Sequence, residues 1–297
     1  MLSAEAQGMK DLLFSFKSSG AVSTVEDQRM ALEALASFSP MPAGVQTEIV
    51  DMGGMRAEVI RAEAPKSELA LLYLHGGSYS AGSITTHRSL VARICVTAGI
   101  HAYLPEYRLA PEHPFPAAVD DALAAYRHLL AKGVDPSKLI VAGDSAGGGL
   151  TLALMLQLKE LELPLPLRIV LLSPWTDLTA SGGSVLERAE VDPWLEAESL
   201  KPAARIYLGD ADPANPLASP LFGDLTRLPS SLILVGADEI LLDDSVRLNR
   251  ALVEVGAPSR LHIAEGMWHV YPAFPGMPEA DRAIDEIAGF LAEAAAS

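Results

Sequence analysis

The 297 residues include 22 Lys and Arg against 38 Asp and Glu, a formal charge of −16, with 49% hydrophobic and 20% charged residues. That balance suits an ordered globule with a substantial core, in one large domain or two modest ones, and excludes a disordered or disulfide-stapled chain. It also disfavours nucleic acid and anionic membrane surfaces as partners, because the basic residues are outnumbered and never form a run.

The N-terminal stretch MLSAEAQGMKDLLFSFK has an acid before any base and a short apolar patch, unlike a secretory or transit peptide, so a cytoplasmic protein is expected. No apolar run reaches membrane-spanning length. Helical patterns over about 3–17 and 24–37 end at SPMPAG, and two candidate strands follow, QTEIVDM and MRAEVIRA. A regular alternation then begins. Strand ELALLYLH leads to helix HRSLVARICVTAG, whose single cysteine, Cys95, reads as a buried core thiol. Strand HAYLPEY leads through RLAPEHPFPAA to helix AVDDALAAYRHLLAKG, and strand KLIVAG meets a helix that opens at or just after Ser145. Strands LRIVLLS, SLILVG and RLHIAEG and a closing helix PEADRAIDEIAGFLAEAA complete the pattern. Strands rich in Val, Ile and Leu that alternate with helices predict an α/β fold: a mostly parallel sheet covered on both faces. Residues 174–229 are far longer than a crossover needs and read as a lid or cap segment.

Gly143-Asp144-Ser145-Ala146-Gly147 fits G-x-S-x-G between a buried strand and a helix, the setting of a nucleophilic serine on a sharp turn. A phosphate-binding loop is the alternative, but neither a G-K-[ST] ending nor G-x-G-x-x-G is present. A serine needs a base, and the base needs an orienting acid, both placed beyond the ends of later strands. Asp238 follows SLILVG and His269 follows RLHIAEG, giving the order Ser, Asp, His, with Asp243 and Asp244 as rival acids that look more like N-terminal helix residues. His87, His101 and His113 precede the serine, and His128 and His262 sit inside elements, so all five read as structural or solvated. After the first parallel strand, His75-Gly76-Gly77-Ser78 is similar to an H-G-G-G oxyanion loop, with Gly76, Gly77 and Ala146 as expected N–H donors.

These stretches, with YRLAPEHPFPAAVDDALAAYRHL, GDSAGGGL, GADEILLDDS and GMWHVYPAF, resemble the hormone-sensitive-lipase-like bacterial carboxylesterases of the α/β-hydrolase fold from about residue 45 to the C-terminus. The resemblance implies that residues 1–40 form the N-terminal part of a cap, that 41–297 form the catalytic domain, and that a second cap insertion lies at about 184–215. It carries the nucleophile, acid and base to Ser145, Asp238 and His269, and the oxyanion donors to Gly76, Gly77 and Ala146. Ser78 departs from the family's third glycine and, with Trp175, is a candidate substrate contact. Arg108 and Glu112 of YRLAPE are expected to pair structurally.

The expected activity is hydrolysis of short-chain carboxylic esters through an acyl-enzyme. A lactone or amide hydrolase keeps the same triad, and a non-hydrolytic receptor of the same fold is disfavoured by the presence of His269. No metal or organic cofactor is expected, since H-E-x-x-H, cysteine clusters and EF-hand loops are missing. The expected partner is a small-molecule ester, with a homodimer allowed for.

Overall fold

The computed structural model describes residues 1–20 and 24–295. Its sheet runs in the order β1-β2-β4-β3-β5-β6-β7-β8, from β1 (Val45–Asp51), β2 (Arg56–Ala62), β3 (Ala70–Leu74), β4 (His101–Pro105), β5 (Leu139–Asp144), β6 (Arg168–Leu172), β7 (Ser230–Gly236) and β8 (Ser259–Ala264). The β1–β2 hairpin joins β4 antiparallel, and every later pairing is parallel. Central β3, β5 and β6 are almost wholly buried runs of Leu, Ile, Val and Ala, as strands covered on both faces must be, whereas edge strand β1 exposes most of its residues.

The described helices are α1 (Ala4–Ser18), α2 (Val25–Ala36), α3 (Ile84–Ala98), α4 (Ala117–Ala131), α5 (Ala146–Glu160), α6 (Ser184–Glu187), α7 (Ala197–Leu208), α8 (Leu242–Glu254) and α9 (Pro278–Ala295). On one face of the sheet Ile94 and Cys95 of α3 share a core with Ile284 and Ile287 of α9. On the other face Tyr126 of α4, Leu154 of α5 and Leu248 of α8 share a second core. This is the mostly parallel, doubly covered α/β sheet that the alternating pattern predicts. Cys95 lies in that core, its thiol pushed up to about 12 by burial. Among the described residues no helix is long and apolar enough to cross a membrane.

Two connections matter for the site. In the first, α3 starts at a capping box formed by Ser83 and Thr86, which fixes how the chain enters the helix after the glycine-rich stretch that follows β3. In the second, Arg29 of α2 donates from Nε to the Ser80 carbonyl at 2.8 Å and forks onto Glu112 with two bonds of 2.7 Å. Arg108 therefore does not pair with Glu112 as expected. It forks onto Asp121 of α4, 2.7 Å from Nη2 to Oδ1, because the turn at 110–112 swings Glu112 toward α2 while α4 brings Asp121 alongside.

The turn from β5 into α5 crosses the end of β3 so closely that a Cβ on Gly143 or Gly147 would lie inside 3.0 Å of the Leu74 carbonyl oxygen. Gly8, in the middle of α1, has nothing within 4 Å of that position. Gly147→Ala should therefore lose about 1–3 kcal/mol of unfolding free energy by overpacking, while Gly8→Ala should gain up to about 1 kcal/mol from helix propensity. Denaturant melts of the two variants check this, and equal midpoints would contradict the packing account.

Candidate active site

Ser145 sits between β5 and α5 at φ 51°, ψ −122°, a region that side-chain-bearing residues seldom occupy. Backbone bonds hold it there: its N–H donates to the Leu172 carbonyl at 2.8 Å, and its own carbonyl accepts from Trp175, Gly148 and Gly149 at 2.9, 3.0 and 3.1 Å. The side chain faces a cavity of about 130 Å³ that is also lined by Gly77, Ser78, Trp194 and His269.

His269 follows β8 and is 4% exposed. Its Nδ1 lies 3.0 Å from Glu239 Oε1, and Glu239 Oε2 accepts from Ser173 Oγ and from the Gly236 N–H, both at 2.8 Å. The acid on the imidazole is thus Glu239 and not Asp238. The chain turns sharply after β7, where the Asp238 N–H bonds the Met267 carbonyl, and neighbouring side chains there leave in different directions. Asp238 points outward to Lys10 Nζ at 2.5 Å, its side chain 24% exposed against 0% for Glu239. Asp243 and Asp244 lie in the first turn of α8. Asp243 accepts from the Ser184 N–H, and Asp244 from the N–H groups of Thr176 and Asp177, with burial pushing the Asp244 carboxyl up to about 7.

Burial alone would lower the pKa of His269. The hydrogen bond and charge of Glu239, helped by Asp192 and Asp144, outweigh it and hold the imidazole above its usual value. With Nδ1 committed to Glu239, Nε2 is the nitrogen left for Ser145.

The glycine-rich loop also departs from expectation. The Gly76 N–H donates to Asp144 Oδ1 at 3.1 Å and lies 3.3 Å from His87 Nε2, so it is already engaged. Gly76 must be glycine because a Cβ would strike the Asp144 carboxylate. Among the described residues nothing accepts from the N–H groups of Gly77, Ser78 or Ala146. Gly77, Ser78 and Tyr79 all have positive φ (119°, 55° and 60°), and the turn is closed by the Ser80 and Ala81 N–H groups on the Gly77 carbonyl at 3.0 and 2.8 Å. Backbone N–H groups left without an acceptor in such a turn can receive an anion. The Ser78 hydroxyl accepts from Gln28 Nε2 at 3.4 Å.

Asp144 anchors this loop. It accepts from Tyr73 Oη at 2.9 Å and meets His87 Nε2 at 3.2 Å. Burial would raise its carboxyl, but His87 and Tyr73 hold it below the usual range. Nothing in the sequence marked His87, which belongs to the first turn of α3 and lines the cavity.

Trp175, a candidate for the pocket that could equally be core, is core: it is 2% exposed, its ring lies 6.4 Å from Tyr79, and its link to the site is the backbone bond to Ser145. The tryptophan on the cavity is Trp194, edge-on to Phe274 at 5.8 Å. Leu32 and Leu35 of α2 form the facing wall.

A family profile described as alpha/beta hydrolase fold matches residues 71–273. The chain is 42% identical over 271 residues to an acetyl-hydrolase of Streptomyces hygroscopicus, covering 90% of this chain and 89% of that protein. It is 36% identical over 264 residues to an esterase of Acinetobacter venetianus, covering 88% and 87%. A crystal structure of an esterase from the bacterial hormone-sensitive lipase family superposes with a TM-score of 0.95 at 39% identity, covering 99% of both chains.

The two neighbouring acids can be separated by labelling Ser145 with a serine-directed sulfonyl fluoride. Glu239→Gln should slow labelling roughly 10³- to 10⁴-fold, as loss of the orienting acid does in serine hydrolases. Asp238→Asn should slow it less than about tenfold, as expected for a partly exposed ion pair. The reverse ranking would return the role to Asp238.

Proposed function

The chain belongs to the α/β-hydrolase family, in its bacterial hormone-sensitive-lipase-like branch, and from that premise we propose that it is a serine carboxylesterase acting on short-chain esters through an acyl-enzyme. The observation that carries the reading is Ser145, held on a strained turn, sharing one small cavity with a histidine whose far nitrogen is fixed by a buried carboxylate.

In this mechanism Ser145 Oγ attacks the ester carbonyl carbon while His269 Nε2 takes its proton. Glu239 holds the ring and stabilises the imidazolium that forms. The carbonyl oxygen becomes an oxyanion received by the free N–H groups of Gly77, Ser78 and Ala146, which replaces the expected set with Gly76. Collapse expels the alcohol, protonated by His269, and water then repeats the sequence on the acyl-enzyme. Ser78 enters through its backbone, and its hydroxyl is turned toward Gln28.

The cavity, about 130 Å³ and walled by Leu32, Leu35, Trp194 and Phe274, supports a small apolar acyl group. The name of the Streptomyces relative, an acetyl-hydrolase, points the same way. We read α1 and α2, with the segment at about 184–215, as a cap over the catalytic domain: Leu32 and Leu35 come from α2, and Trp194 from that segment. The partner is a small-molecule ester, and we read the compartment as the cytoplasm.

Ser145→Ala should lose about 10⁶ in kcat. A p-nitrophenyl ester series should favour acetyl to butyryl chains, and hydrolysis that persists in the alanine variant would refute the assignment. Because His269 must be neutral to act and its pKa is raised, kcat/KM should fall with decreasing pH along a limb centred above the free-histidine value of about 6.5. A limb centred below that value would contradict the raised pKa.

A further inference from the structure

We propose that Asp192 is a positioning residue for this reaction, a second buried carboxylate that ties the cavity wall to the Glu239 loop and adds its charge to the field at His269. The inference rests on the serine-esterase reading. Asp192 lies between α6 and α7 and has no exposed surface. Its Oδ1 accepts from the N–H groups of Trp194 and Leu195 at 2.8 and 2.9 Å, and both residues line the cavity. Its Oδ2 accepts from the Ile240 N–H at 2.9 Å, which belongs to the peptide directly after Glu239. Lys17 of α1 grips the same segment from outside, donating to the carbonyls of Asp192 and Leu195 at 2.7 and 2.6 Å.

The chemistry of the three donors selects the residue type. Only a group that accepts on both atoms can bind Trp194 and Leu195 with one and Ile240 with the other. An asparagine would turn its NH₂ group toward one of those N–H groups and break that side of the bridge. Placing a second carboxylate close to Glu239 is costly: burial and the Glu239 charge raise the Asp192 carboxyl, and the three N–H donors only partly offset them. The compensating effect appears at His269, where Asp192 favours the protonated ring and hence the imidazolium formed as Ser145 attacks.

The charged groups around this pair come from several elements. Glu239, with Asp238 paired to Lys10, comes from the turn after β7. Asp144, backed by His87 of α3, comes from the end of β5, and Lys17 comes from α1. Of the acids, Asp192 alone touches neither His269 nor the oxyanion loop by a hydrogen bond and still acts on the ring's charge.

The test is the pH profile of kcat/KM for p-nitrophenyl acetate on Asp192→Asn, with circular dichroism to verify the fold. Removing the charge should move the acid limb to lower pH by roughly half a unit to one unit. Releasing the Ile240 peptide should reduce kcat roughly tenfold through misplacement of Glu239, with KM within about threefold. Asp192→Glu, which keeps the charge, should retain the wild-type limb while kcat stays reduced. If the asparagine variant does not fold, Asp192→Ser is the second neutral probe, with the same expected limb shift. A folded neutral variant whose limb is unmoved, or moves upward, overturns the proposal. Ser145→Ala, run alongside, separates the two layers: activity surviving there refutes the esterase reading and this inference together, whereas an inactive alanine variant with an unmoved limb in Asp192→Asn refutes the inference alone.

Discussion

A carboxylate buried as completely as that of Glu239 is stable only where hydrogen-bond donors replace the water it has lost, and the three donors it has found come from three different places in the sheet. Ser173 follows β6, Gly236 ends β7, and His269 follows β8. Ser173 Oγ in turn accepts from the Val270 N–H at 3.0 Å, so the loop that carries the histidine is fastened on both sides of the ring's attachment. The requirement to compensate one charge therefore aligns the ends of neighbouring strands, and that alignment sets where the imidazole stands relative to Ser145.

Asp144 plays the matching part on the other side of Ser145. It is the residue before Ser145, so the strained turn that presents the serine also plants a carboxylate behind the glycine-rich loop. By taking the Gly76 N–H, Asp144 stops that group from facing the cavity and leaves the next residues of the loop to do so. Tyr73 and His87 complete its coordination and tie the loop to β3 and α3. Ser145 thus stands between two buried carboxylates, one holding His269 and the other holding the glycine-rich loop.

The N-terminal helices, of which α2 lines the cavity, are held by directional contacts as much as by apolar ones. Arg29 holds the Ser80 carbonyl, Gln28 reaches Ser78 and Ser80, Lys10 caps the Gly266 carbonyl near His269, and Lys17 holds the segment before Trp194. Each cation ends on backbone carbonyls of a loop that borders the cavity. The position of α1 and α2 is thereby coupled to loop geometry, and their Leu32 and Leu35 side chains narrow the space above Ser145.

The sequence by itself determined the periodic elements and the groups defined by local chemistry. Leu-, Ile- and Val-rich runs bounded by glycine become the buried strands, and Ser145 and His269 are recognisable because a strand-to-helix turn and a strand end constrain the backbone within a few residues. Choosing among Asp238, Glu239, Asp243 and Asp244 was beyond it, since four acids within seven positions share the same strand end and spacing does not say which way each side chain leaves the turn. Tertiary structure decided that choice through the Ser173 and Gly236 donors, which are distant in sequence or point inward only after β6 and β7 pair. It likewise sent Glu112 to Arg29, put Trp175 in the core and Trp194 on the cavity, and engaged the Gly76 N–H. In every one of these cases the deciding partner is brought in by packing across the sheet or against the N-terminal helices and the segment before α7, and a local pattern carries no information about a contact that forms only when remote segments meet.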